Sequence, residues 1–142
     1  MRSGVPVAVV DTGPLYAAAD LDDDDHAASL TTLQRRDLEL VVPALVVAEA
    51  TYLVGRRLGP KAEAAFLRGL GQIEIEPPRG DDWTRIADLV DEYGDLPLGG
   101  TDASVVALAE RLDTATVITL DRRHFTVVRP NHRDTLELLP GE

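Results

Sequence analysis

The chain contains no cysteine, so it can form no disulfide, no thiolate zinc site and no cysteine nucleophile. Aromatic residues make up only 4% of its 142 residues, which leaves a core to be built mainly from Leu, Val, Ala and Ile. There is a single lysine, Lys61. No apolar run approaches the roughly 20 residues a transmembrane helix needs, and the N-terminus lacks a signal-peptide pattern. A soluble, cytoplasmic protein is expected. Basic character is also missing: the formal net charge is −11, which at first sight disfavours a nucleic-acid partner.

The distribution of that charge weakens the objection. Five of the 25 acids stand in the run Asp20-Leu21-Asp22-Asp23-Asp24-Asp25. The run lacks the glycine and distal glutamate of an EF-hand loop, so it reads as a solvated connection. With those five and four further acids set apart, 16 acids face 14 bases, and the body of the protein is near neutral.

The length fits one domain over residues 1–142, with a core at about 5–130 and a polar tail over 131–142. Residues 5–10 read as a valine-rich strand, uncharged on both faces as in a sheet covered on each side. Gly13 is the expected cap and Pro14 the first residue of a helix running to residue 19. That leaves Asp11 at the strand's carboxyl end, outside the cap position. A helix over 26–36 turns Leu30 and Leu33 inward. A strand at 40–42 stops at Pro43, and a long apolar helix over 44–58 ends at Gly59-Pro60. Pro60 opens a helix to residue 70 with Phe66, Leu67 and Leu70 on one face. A strand follows at 73–75. Asp81 or Asp82 caps a helix through residue 93, with Trp83 placed in the core by its spacing from Ile86 and Val90. An alanine-rich helix over 101–112, a strand at 116–120, a turn at 121–124 and a last strand at 125–128 complete the chain. Strands alternating with helices imply an α/β domain with a parallel sheet covered on both faces.

Four acids stand alone in uncharged surroundings. Asp11 is the only charged residue between Arg2 and Asp20, Glu49 between Glu39 and Arg56, and Asp102 between Asp95 and Glu110. Asp121 closes a run without charge since Asp113. An isolated carboxylate in an apolar setting is costly unless it is paired, hydrogen-bonded, protonated or bound to a cation. Separate structural roles are available to three of them: Asp11 and Asp102 as helix or turn caps, and Asp121 as a partner of Arg122 or Arg123. Glu49, a full turn inside an apolar helix and too far from Arg56 and Arg57 for an i, i+4 pair, has none so simple. A parallel sheet allows all four to meet at its carboxyl edge. Clustered carboxylates repel unless divalent cations offset them, and oxygen ligands without His or Cys favour Mg²⁺ or Mn²⁺ over zinc. Such sites position a water and stabilise the leaving oxygen in phosphodiester hydrolysis.

Four segments also carry a family resemblance. Val-Val-Asp-Thr at 9–12, Pro-Ala-Leu-Val-Val-Ala-Glu at 43–49, Gly-Thr-Asp-Ala-Ser-Val-Val-Ala-Leu-Ala-Glu at 100–110 and Thr-Leu-Asp-Arg-Arg-His-Phe at 119–125 resemble the PIN-domain nucleases. The likeness is greatest to the VapC-type toxins of bacterial toxin–antitoxin pairs, and it spans residue 7 to about 130. It implies a PIN-like three-layer α/β/α domain with Asp11, Glu49, Asp102 and Asp121 as the acidic, metal-binding catalytic set. Thr12 is implied as an accessory hydroxyl, and Thr119 as a weaker candidate for the same role. The resemblance further implies a Mg²⁺- or Mn²⁺-dependent endoribonuclease that cuts structured RNA, often a transfer RNA or ribosomal RNA loop. The products would be a 5′-phosphate and a 3′-hydroxyl. A homodimer held by helices is implied too, neutralised by a cognate antitoxin with a basic side chain in the acidic pocket. One departure is visible: many relatives carry another acid just before the third, where this chain has Gly99-Gly100-Thr101 and its nearest acid is Asp95.

The remaining polar residues read more plainly. His26, His124 and His132 are dispersed without metal-ligand spacing and are expected on the surface or in loops. Arg122, Arg123 and His124 suit either an RNA phosphate contact or a solvated turn. Arg56, Arg57, Lys61 and Arg68 form either a basic edge or a solvated face. Tyr52 and Leu53 belong to core or to a dimer surface. Two other functions compete. Aspartate-based phosphoacceptor or phosphatase domains also place acids at strand ends, but they use a site lysine. Lys61 is poorly placed for that, and Asp11-Thr12-Gly13 lacks the second phosphatase aspartate. A catalytically silent PIN-like module that binds RNA or protein is the other alternative, though all four acids are present.

Overall fold

The computed structural model describes residues 4–141. In chain order the elements are β1 (Val7–Val10), α1 (Thr12–Ala19), α2 (His26–Leu33), β2 (Glu39–Pro43), α3 (Ala44–Leu58), α4 (Pro60–Leu70), β3 (Glu74–Glu76), α5 (Asp82–Glu92), α6 (Gly100–Arg111), β4 (Thr116–Ile118), α7 (Arg122–Phe125) and β5 (Glu137–Leu139). The five strands make one sheet in the order β3-β2-β1-β4-β5, and every pair is parallel. Helices flank it in a three-layer α/β/α domain. Among the described residues no helix is long and apolar enough to cross a membrane.

β1 lies at the centre because its side chains can be buried on both faces: Ala8, Val9 and Val10 are fully enclosed. Along α6, every residue from Ala103 to Ala109 is buried, with small side chains that admit close packing. α3 instead buries a single stripe, Val46, Ala50 and Val54, spaced four apart. From β1 the chain builds outward through β2 and β3, then returns to place β4 on the other side of β1. That reversal opens a crevice at the carboxyl ends of β1 and β4, the usual ligand position in open α/β sheets. The two ends are joined directly, the Asp11 N–H donating to the Ile118 carbonyl at 2.9 Å.

Several expectations are corrected. The last strand is not residues 125–128: that segment starts with the end of α7, where Phe125 is buried in the core. The fifth strand falls in the expected polar tail, at Glu137–Leu139, as a short edge strand that turns Leu138 inward and Glu137 outward. Glu142 lies outside the described residues. α1 starts at Thr12 with Asp11, not Gly13, at its N-cap. Pro14 still fits, because the first-turn N–H groups have no intrahelical acceptor. Trp83 is 54% exposed, not core. α5 buries Ile86 and Leu89, and at 100° per residue Trp83 points about a quarter turn away. In α2 the buried residues are Ser29 and Thr32, with Leu30 and Leu33 only half-buried, and in α4 Leu67 is exposed.

Candidate acidic site

Asp11 leaves the end of β1 and occupies the N-cap position of α1, yet its side chain makes no capping bond. Its Oδ2 instead accepts from the Thr119 hydroxyl at 2.8 Å. At 5% exposure it is the one buried acid of the four. Burial pushes its pKa up to about 6, and the charges of Asp102 and Asp121 add to that. The Thr12 backbone N–H and the Thr119 hydroxyl pull in the opposite direction.

Asp102 lies in the first turn of α6, where the helix dipole favours an anion, and it reaches back to the Gly99 backbone. The capping role is therefore real but does not exhaust the residue. Its pKa is also raised, by burial first and then by Asp121 and Glu49, while His124 lowers it. Asp121 follows β4 and caps α7, its Oδ1 accepting the His124 N–H at 3.0 Å. The Asp121 N–H donates to the Thr119 hydroxyl at 2.9 Å, so one buried threonine ties together the first and last acids. Thr119, read as the weaker accessory, has the larger visible part. Thr12 is 6% exposed, and its Oγ1 is buried without a hydrogen-bond partner among the described residues.

Glu49 corrects the picture of four acids planted in core. It is exposed on α3, beside the buried stripe, but close enough for its charge to act on Asp102. Asp95 is exposed in the loop before α6.

Of the histidines expected on the surface or in loops, His132 does lie in the loop before β5, whereas His26 opens α2 and His124 belongs to α7; each is half-buried. Nδ1 of His26 sits 2.9 Å from the Ala17 carbonyl, and Nε2 of His132 sits 2.7 Å from that of Thr114. His124 belongs to the acidic site. Its Nδ1 is 2.6 Å from Oδ2 of Asp121 and 3.5 Å from Oδ2 of Asp102. Asp102, Asp121 and His124 each present a ligand atom within 4.8 Å of one another, close enough to share a metal ion. The local signal was an acid followed three residues later by histidine, legible as a site only once the turn is known to be helical.

The residues fit a divalent cation. Burial and neighbouring carboxylates that raise the pKa values of Asp11 and Asp102, beside the orphaned buried Thr12 hydroxyl, make a setting whose negative charge a bound cation would offset. An apolar groove of about 690 Å³, lined by Leu15, Leu30, Leu33, Phe66 and Leu70, contains none of the four acids.

The sequence profile of the PIN domain family matches residues 8–129. Ribonuclease VapC26 of Mycobacterium tuberculosis is 41% identical over 124 residues, covering 86% of this chain and 92% of that protein. The crystal structure of VapC20 from Mycobacterium tuberculosis, a sarcin-ricin loop cleaving toxin, aligns with a TM-score of 0.70 at 18% identity, covering 78% of this chain and 86% of that one. VapBC2 from Rickettsia felis, bound to a DNA fragment from its promoter, aligns with a TM-score of 0.68 at 18% identity, covering 93% of this chain and 98% of that chain. The likeness to these two structures is one of fold.

Proposed function

The chain belongs to the PIN domain family, and from there we propose that it is a metal-dependent endoribonuclease toxin held in check by a cognate antitoxin. Its homology to a VapC ribonuclease carries the nuclease reading. The metal reading rests on the convergence of Asp11, Asp102 and Asp121 at the sheet's reversal, where burial and mutual repulsion raise both Asp11 and Asp102.

In this reading Asp11, Glu49, Asp102 and Asp121 hold Mg²⁺ or Mn²⁺. Bound there, the cation supplies a Lewis acid that acidifies water and offsets charge on the scissile phosphate. The protein's part is positioning. Thr119 fixes the orientation of Asp11 and the backbone at Asp121, and the buried walls around Asp11 keep bulk water from screening the site. Exposed Arg123, beside Asp121, offers a contact to RNA phosphate. The substrate is a structured transfer or ribosomal RNA, the products carry a 5′-phosphate and a 3′-hydroxyl, and the active form is a cytoplasmic homodimer. A VapBC pair among the solved structures supports an antitoxin partner here. A basic side chain entering the acidic pocket is the natural inhibitory contact.

The test is cleavage of total cellular RNA by purified, antitoxin-free protein with Mg²⁺, with Mn²⁺ and with EDTA, alongside Asp11→Asn. Discrete fragments that disappear with EDTA and with the variant support the proposal. Intact RNA under every condition, including RNA from the native host, would favour a silent binding module instead.

A further inference from the structure

His124 stands apart from the other two histidines in where its ring is aimed. His26 and His132 each commit a ring nitrogen to a backbone carbonyl. The Nδ1 of His124 faces two carboxylates, is closed off from solvent, and makes no aligned hydrogen bond despite its 2.6 Å approach to Asp121. When Nδ1 carries a proton the ring pairs with these carboxylates. In the neutral form protonated at Nε2, Nδ1 sets its lone pair against their oxygens, an arrangement that a shared cation converts from repulsion into coordination.

The local fold holds the ring in that position. Asp121 Oδ1 accepts the His124 backbone N–H, which fixes the first turn of α7, and the next residue, Phe125, is anchored in the core at 1% exposure. The i, i+3 spacing then puts imidazole and carboxylate on one face of the turn. Adjacent ligands on an octahedral cation at about 2.1 Å lie about 3 Å apart. The separations from Nδ1, 2.6 Å to Asp121 and 3.5 Å to Asp102, bracket that spacing.

Resting on the metal-dependent reading above, we propose that His124 Nδ1 is a ligand of the cation held by Asp102 and Asp121, and that this nitrogen tilts the site toward Mn²⁺ over Mg²⁺. An all-oxygen set suits Mg²⁺, which tolerates nitrogen poorly, whereas an imidazole donor favours metals later in the Irving–Williams order. His124 thus sets metal preference, a property separate from whether the acids bind metal at all.

The experiment is pulsed electron paramagnetic resonance of Mn²⁺ bound to the purified full chain without RNA, joined to Mn²⁺ and Mg²⁺ binding titrations. A nitrogen coupling is expected in the wild type and in His26→Gln and His132→Gln, and it is lost in His124→Ala and His124→Asn. Mn²⁺ affinity falls by at least about 10-fold in His124→Ala, and Mg²⁺ affinity falls less. His124→Asn, which offers an amide oxygen near the position of Nδ1, recovers Mg²⁺ binding but not the Mn²⁺ preference. Circular dichroism confirms that each variant is folded. Mn²⁺ bound in an Asp102-dependent way without nitrogen coupling would overturn the role of His124 and leave the metal site standing. No Mn²⁺ binding by the wild type would overturn both.

Discussion

The Thr119 hydroxyl donates to Oδ2 of Asp11 at 2.8 Å across 108 positions of sequence, and it accepts from the Asp121 N–H at 2.9 Å. Thr119→Val preserves the shape of the side chain but breaks both bonds inside a closed environment. It is expected to cost about 1–3 kcal/mol in urea unfolding and to raise the pKa of Asp11 further. Thr119→Ser, which keeps the hydroxyl, should recover most of the loss.

The raised pKa of Asp11 has a definite sign. An ordinary aspartate titrates near 3.8 and this one near 6 in the folded chain, so between those values the native state binds the extra proton. Metal-free protein should therefore lose stability as pH climbs from about 4 to about 6, then level off, for a total of about 3 kcal/mol. Asp11→Asn should flatten that slope and be more stable than wild type at pH 8 in EDTA. Chemical unfolding from pH 4 to 8 measures both.

Divalent cations should reverse the same penalty. Mn²⁺ at about 100 times its dissociation constant is expected to add about 2.7 kcal/mol, seen as a higher Tm at pH 7.5. The gain should vanish in Asp102→Asn. Affinity should also weaken as pH drops below about 6, where protons compete for Asp11. A Tm indifferent to metal would contradict the assignment of this site.

The acids should not be equal in RNA cleavage. Asp102→Asn or Asp121→Asn removes a carboxylate from the ligand cluster and should lower the rate by at least about 100-fold. Glu49→Gln, exposed on α3 and felt by Asp102 through its charge, should cost less, about 10-fold. Equal losses would mean that Glu49 moves into the cluster when RNA or metal binds.

Asp11, Asp102 and Asp121 were legible in the sequence because each is a charge in a long uncharged stretch, a pattern that water alone does not support. The bounds of α3, Ala44–Leu58, were equally plain, set between Pro43 and Gly59. His124 was read as a phosphate contact or a solvated turn and not as a neighbour of the acids' ligand atoms, because that place depends on Asp121 capping a helical turn, a contact that sequence spacing leaves open. β5 was missed for another reason: a three-residue edge strand turns only Leu138 inward, with Leu136 buried just before it, too short a pattern to outweigh its polar neighbours. Glu49 misled because apolar neighbours on a helix do not say which face is covered.

The return of β4 to the side of β1 also orders events in time. In translation Asp11 emerges before its partners Asp102, Thr119 and Asp121, the hydroxyl donor Thr119 lying 108 positions further on. Until β4 docks, β1 is an open edge and Asp11 has neither its hydroxyl donor nor its fellow acids. In the nuclease reading proposed above, a nascent chain is thus inactive toward RNA until α6 and β4 have been made and have docked.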